Sequence, residues 1–198
     1  RDVVLYGFGR IGRIATRELI KQAGKGQQLR LRAIVLRSLN DEEIVKRAAL
    51  LRNDSVHGAF QGSVEEDLAN KALWINGQMV QLIAASNPED IDYTAYGIND
   101  ALIIDNTGVY TKQADLARHL KSKGDAKVIL TAPGKEVPNI VYGINQKDFD
   151  PETQDLVSAA SCTTNAICPV LKVVEDNIGI EKGHIETVHS YTNDQNLL

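Results

Sequence analysis

Cys162 is the residue whose surroundings most directly promise covalent chemistry. It stands in Ser158-Ala159-Ala160-Ser161-Cys162-Thr163-Thr164-Asn165, a run of small residues followed by the apolar, periodic Ala166, Ile167, Val170, Leu171 and Val174. That pattern predicts a short strand feeding a helix whose first turn carries the sulfur. Unpaired N–H groups and the dipole at a helix N-terminus lower a thiol pKa, and the thiolate is the nucleophile. Ser161, Thr163 and Thr164 add hydroxyls beside it that could hold an anion. The alternative is a buried cysteine behind a Ser/Thr helix cap. Cys168, inside the same helix among apolar residues, is expected in the core.

A base for that thiol must arrive through space. At typical rises a helix over residues 162–176 runs about 22 Å and a strand over 185–191 returns about 20 Å. This out-and-back path brings His189 to the level of Cys162. Alternation along the strand puts His189 on one face with Ile185 and Thr187, and His184 on the other. His189 is therefore the better partner for activating the thiol and moving protons. His57, His119 and His184 are expected at the surface or in structural roles.

A second chemical signal opens the chain. Gly7-Phe8-Gly9-Arg10-Ile11-Gly12 is G-x-G-x-x-G, placed between a strand-like run and a helical pattern. Such glycines allow a tight turn and close backbone approach, so a pyrophosphate can sit on the free N–H groups of the helix. Purely structural glycines are the alternative. The next strand ends Leu36-Arg37-Ser38, without the carboxylate that would hydrogen-bond the adenosine ribose of NAD. Arg37 with Ser38 suits a 2′-phosphate, hence NADP or dual use, unless Asp41 reaches back to the ribose.

These groups need a frame. Strand-like runs at residues 3–6, 29–36, 101–105 and 127–131 alternate with helical patterns at 10–22, 41–51 and 112–121. The first helix should bury Ile11, Ile14, Ala15 and Leu19, and the second should open at Asn40 or Asp41. Alternation of this kind predicts an α/β doubly wound, mostly parallel sheet. Residues 62–84 differ: Leu73-Trp74-Ile75, Asn76-Gly77 and the run from Met79 to Ile83 predict an antiparallel hairpin insertion. A polar turn near residues 148–154 prepares a boundary, giving one domain over 1–160 and the start of another over 161–198. The second unit is too short for a usual domain, and the chain enters its first strand directly from Arg1. Both features predict a trimmed or partial chain with later elements missing.

Composition sets outer limits. Hydrophobic residues make up 43% and charged residues 24%, with a net charge of −4. This is ordinary for a soluble globular protein, and no Lys/Arg block suggests nucleic-acid binding. No apolar run approaches a membrane span. Cys162 and Cys168 would be about 9 Å apart along a helix, beyond the roughly 7 Å reach of a disulfide. Free thiols point to a reducing, cytoplasmic setting.

With these residues in view, the chain resembles the glyceraldehyde-3-phosphate dehydrogenases along nearly its whole length. The resemblance is carried in order by Tyr6-Gly7-Phe8-Gly9-Arg10-Ile11-Gly12-Arg13, Asp54-Ser55-Val56-His57-Gly58 and Asn106-Thr107-Gly108-Val109-Tyr110. It continues through Lys127-Val128-Ile129-Leu130-Thr131-Ala132-Pro133, Ser161 to Asn165, and His189-Ser190-Tyr191-Thr192-Asn193-Asp194-Gln195. It implies a Rossmann-type cofactor domain followed by the beginning of an α+β catalytic domain. Cys162 matches the catalytic thiol and His189 its base. Gly9, Arg10 and Ile11 match the pyrophosphate loop, to which the glycine motif already assigns Gly7 and Gly12, while Thr107, Gly108 and Thr131 match the cofactor cleft. Ser161 and Thr163 match donors to inorganic phosphate, and Thr192 a donor to the substrate's phosphate. Glyceraldehyde 3-phosphate, inorganic phosphate, NAD or NADP, and a homotetramer are the implied partners. Two departures stand out: Leu36-Arg37 replaces the usual Asn-Asp, and Ser86 replaces an arginine before Asn87-Pro88. Competing readings are the same chemistry on another sugar-phosphate aldehyde, such as erythrose 4-phosphate, and a dinucleotide-binding module without turnover.

Overall fold

The computed structural model describes residues 1–23 and 29–189. The chain opens with β1 (Asp2–Tyr6), α1 (Arg10–Gln22), β2 (Arg30–Leu36) and α2 (Asp41–Arg52). Asn40 caps α2, its Oδ1 accepting the Glu43 N–H at 2.8 Å. Asp41, Glu42 and Glu43 fill the first turn, where the helix dipole favours negative charge. A short ribbon, β3 (Asn53–Asp54) with β4 (Gly58–Ala59), precedes β5 (Val64–Asp67), β6 (Ala72–Ile75) and β7 (Gln78–Ala84). β6 and β7 form the expected hairpin. Its turn residues Asn76 and Gly77 have φ of +50° and +76°, the positive pair that a type I′ turn requires. There follow β8 (Ala101–Asp105), α3 (Gln113–Leu116), β9 (Asp125–Leu130), β10 (Leu156–Ser158) and α4 (Cys162–Asn177).

Among the described residues eight strands make one sheet in the order β10-β9-β8-β1-β2-β7-β6-β5. From β10 to β7 every neighbouring pair is parallel, and the hairpin extends the β7 edge with antiparallel β6 and β5. The fold is thus the doubly wound, mostly parallel α/β sheet expected. Successive side chains of β1 enter opposite layers. Val3 and Leu5 pack with Ile20 of α1 and Ile44, Ala48 and Leu51 of α2, whereas Val4 and Tyr6 pack with Tyr93, Ile98 and Leu116. Because the chain leaves β1 toward β2 and later returns on its other side as β8, a crevice opens beyond the C-terminal end of β1.

Four expectations are corrected. Of the expected α1 face, Ala15 and Leu19 pack against the core and Ile14 is half-buried, but Ile11 is 55% exposed. The fully buried residues are Gly12, Arg13, Thr16 and Ile20, because Gly12 seats on the Gly7 carbonyl and Arg13 on Asp54. Residues 112–121 do not form one helix: α3 ends at Leu116, and a 3-10 turn over His119–Lys121 draws His119 inward to Asp105. Residues 185–189 are not a strand, since no described strand pairs with them and a strand persists only as one member of a hydrogen-bonded ladder. Cys168 is half-buried rather than in a core, because no residue of α4 is fully buried and its thiol sits at a shallow cavity beside Val141 and Ile144.

Candidate active site

The crevice beyond β1 is a cavity of about 390 Å³. Gly7 and Gly9 form one wall, Leu36, Arg37, Ser38 and Arg47 a second, and Asn106, Thr107, Val109 and Tyr110 a third. Gly7 has φ +92°, and a Cβ there would come within 2.9 Å of the Thr107 methyl. A Cβ on Gly12 would lie 2.4 Å from the Gly7 carbonyl oxygen, so this glycine lets α1 close against the loop. A Cβ on Gly9 would meet nothing within 4 Å, which marks the space where a ligand can approach the backbone. No side chain caps α1, so its first-turn N–H groups remain available for an anion. These features fit a dinucleotide pyrophosphate.

The remaining cofactor residues are placed unevenly. Arg10 turns away, donating from Nη2 to Ser55 Oγ at 3.0 Å, with Nε 3.5 Å from Asp54. Ile11 is mostly exposed and Gly12 lies behind the loop. Gly108, with φ +69°, follows Thr107 beside the cavity without lining it. Thr131 Oγ1 donates to the Asp105 carbonyl at 3.0 Å, so it braces the end of β8 rather than facing the cavity. Asp41 does not line the cavity, and neither does any other carboxylate among the described residues.

Two buried polar hubs hold this cleft. Asp54, 4% exposed, accepts the N–H groups of Val56 and His57 at 3.0 Å and Nη2 of Arg13 at 3.2 Å. The His57 and Val56 N–H bonds first, with the side chains of His57 and Arg13, hold its carboxyl well below the usual range. It ties the loop after β3 to α1 just behind the glycines. Asp105 and His119, both fully buried, meet at 2.9 Å. The other Asp105 oxygen accepts the Thr107 N–H and hydroxyl at 2.8 and 2.7 Å, fixing the loop that forms the third wall. Tyr6 lies edge-on to His119 and Tyr110. Burial, followed by Tyr110, raises the Tyr6 phenol pKa further.

The thiol lies at the other end of the described chain. Ala160, at φ +59°, turns the backbone out of β10 and into α4. Ser161 caps α4: its Oγ accepts the Thr164 N–H at 3.0 Å and sits 2.7 Å from Thr164 Oγ1. Cys162 is the first residue of the helix and is exposed. A cavity of about 330 Å³ brings together Cys162, Thr163, Ala166, Ile167, Ile185, Glu186, Thr187 and His189. His189 Nε2 is 3.3 Å from Thr163 Oγ1. His184 does not line this cavity. Thr192 lies outside the described residues.

The sequence assigns no role to Arg47 or Asp105 and only a surface or structural one to His119, which is buried against Asp105. Arg47 could have been noticed three residues after Ile44, at the edge of the stripe formed by Ile44, Ala48 and Leu51. Asp105 and His119 carry no local signal, because their pairing depends on where α3 and the following 3-10 turn dock.

Fold and cleft together define a dinucleotide-binding α/β domain joined to a helix that presents a thiol at its N-terminus. Residues 1–113 match the family model described as glyceraldehyde 3-phosphate dehydrogenase, NAD binding domain, and residues 161–198 match the corresponding C-terminal domain. The chain belongs to the glyceraldehyde-3-phosphate dehydrogenase family. It is 56% identical, over all of its length and 43% of the relative's, to a glyceraldehyde-3-phosphate dehydrogenase-like protein of Pseudomonas aeruginosa. Identity is 37% to the glyceraldehyde-3-phosphate dehydrogenase of Clostridium pasteurianum and 38% to glyceraldehyde-3-phosphate dehydrogenase 1 of Bacillus subtilis, each over 99% of this chain and 55% of the relative. The chain spans about half the length of the curated relatives it matches.

Proposed function

We propose that the chain is the cofactor-binding and nucleophile-bearing part of an enzyme that oxidises and phosphorylates glyceraldehyde 3-phosphate, using NAD or NADP. The observation that carries this reading is the shared cavity of Cys162, Thr163 and His189 at the start of α4, in a chain whose sheet bears a glycine-walled dinucleotide cleft. Residues 1–160 serve as the cofactor domain and residues 161–198 open the catalytic one. The homotetramer implied by the resemblance is part of the same proposal.

In this mechanism the Cys162 thiolate adds to the aldehyde carbon, forming the S–C bond of a thiohemiacetal. The Cys162 backbone N–H and the imidazole of His189 stabilise the oxyanion, and His189 moves the protons. A dinucleotide held along Gly7, Gly9 and Thr107 would, when bound, supply a hydride acceptor, so that the thiohemiacetal carbon could lose its hydrogen with the bonding electron pair. A thioester then remains on Sγ. Inorganic phosphate beside Thr163 attacks that carbonyl, the C–S bond breaks, and an acyl phosphate leaves with the thiolate restored. Ser161 is already committed to capping α4, so its contribution to the phosphate is the order it imposes on Thr163 and Thr164.

The test is Cys162→Ser in the full-length protein, assayed with glyceraldehyde 3-phosphate, phosphate and each dinucleotide. Turnover should fall by at least about 10³-fold while cofactor binding stays nearly unchanged. A variant with a large fraction of normal turnover would sink the assignment. Replacing phosphate by arsenate tests the acyl acceptor, and erythrose 4-phosphate in the same assay tests the aldehyde.

A further inference from the structure

The charge at the adenosine end of the cleft points to a specific ligand group. Among the described residues, Arg37 and Arg47 are the only charged ones that line the 390 Å³ cavity. Arg37 stands at the tip of β2, exposed, with no hydrogen-bond or ion-pair partner among the described residues. Arg47 reaches the same wall from α2 and is held by Glu43, whose Oε2 accepts from Nε and Nη2 at 3.1 and 2.8 Å. That grip leaves Nη1 as a donor. Ser38 adds a hydroxyl to the lining of the same cavity. A ribose diol recognised by a protein needs an acceptor, and no carboxylate faces this wall. Two guanidinium groups and a hydroxyl match the oxygens of a phosphomonoester.

We infer that Arg37, Ser38 and Arg47 form a phosphomonoester subsite that receives the 2′-phosphate of an adenosine ribose. The inference rests on reading the cleft as a dinucleotide site and adds Arg47 as the second cation. Glu43, which lies outside the cavity lining, engages Nε and Nη2 of Arg47 and competes with the phosphate for its charge.

The probes are 2′,5′-ADP and 5′-ADP, titrated into the full-length protein by calorimetry at low ionic strength. The expected preference for 2′,5′-ADP is at least about tenfold (about 1.4 kcal/mol), shrinking as salt rises. Arg37→Ala and Arg47→Gln each remove most of it, while Arg37→Asp brings 5′-ADP level or ahead. Glu43→Gln keeps or enlarges the preference, because Arg47 loses a competing carboxylate. Equal binding of the two probes by the unmodified protein overturns the subsite. Parallel losses in Arg47→Gln and Glu43→Gln overturn the role of Arg47, since the pair would then only brace the helix. If NAD and NADP also fail to bind, the dinucleotide reading falls with it.

Discussion

Asp125, the first residue of β9, should make the stability of this protein fall as pH rises from about 4 to about 7. Among the described residues neither of its carboxylate oxygens has a hydrogen-bond partner of good geometry, and the Tyr93 hydroxyl is also buried without one. Burial pushes the Asp125 carboxyl up to about 7; the backbone N–H groups of Ala126 and Lys127 and the cation Arg1 oppose this, while Asp155 adds to it. The unfolded chain releases the same proton near pH 4. Between about pH 4 and 7 the folded protein therefore holds a proton that the unfolded chain has lost, and stability declines across that window. A shift of about three units corresponds to about 4 kcal/mol. Partial solvent access reduces this to about 2 kcal/mol. Asp125→Asn, which cannot ionise, should be the more stable protein by about that amount at pH 8, with the gap closing toward pH 4. Urea unfolding of both proteins at half-unit pH intervals measures it, and the Asp54 contribution cancels in the difference. A gap that does not change with pH, or a variant less stable at pH 8, would refute the assignment.

Other outcomes follow from the cleft. Gly12→Ala should destabilise the protein and abolish dinucleotide binding, because its methyl would meet the Gly7 carbonyl at 2.4 Å; Gly9→Ala should leave thermal stability unchanged and weaken only the cofactor. Asp54→Asn should cost about 3 kcal/mol in urea unfolding at pH 7, since it leaves Arg13 without its buried partner. Asp54 has a depressed carboxyl, so its stabilisation is complete above about pH 4 and fades below that; the variant's deficit should narrow in acid. His119→Phe strands one oxygen of buried Asp105 and should cost about 2 kcal/mol. It should also raise the dinucleotide dissociation constant by loosening Thr107, and fluorescence titration would detect the change. Iodoacetamide should label exposed Cys162 well before half-buried Cys168; mass spectrometry of the peptides decides the order.

Much of the frame was legible because its signals are local. The glycine string, the positive-φ turn at Asn76-Gly77, the Asn40 cap and the strand-to-helix entry at Cys162 each depend on a few adjacent residues. Their backbone preferences act before any distant contact forms. The failures share a cause. Ile11 has the spacing of a buried residue, yet the packing of Gly12 and Arg13 rotates α1 away from it. Residues 185–189 have an alternating pattern, yet a strand needs a neighbour that local sequence does not supply.

The sequence by itself determined that a strand, a glycine turn and an uncapped helix would open this chain, and that Cys162 would head a Ser-capped helix. Only the tertiary structure decided that Arg47 of α2 shares a cavity wall with Arg37 just after β2, that His119 reaches buried Asp105, and that Asp54 gathers Arg13 from 41 positions away. Those partners lie on different elements, and the parallel sheet sets their separations through strand order. Chain spacing encodes the period of one element at a time, so groups joined across the sheet become visible only when its layers have closed.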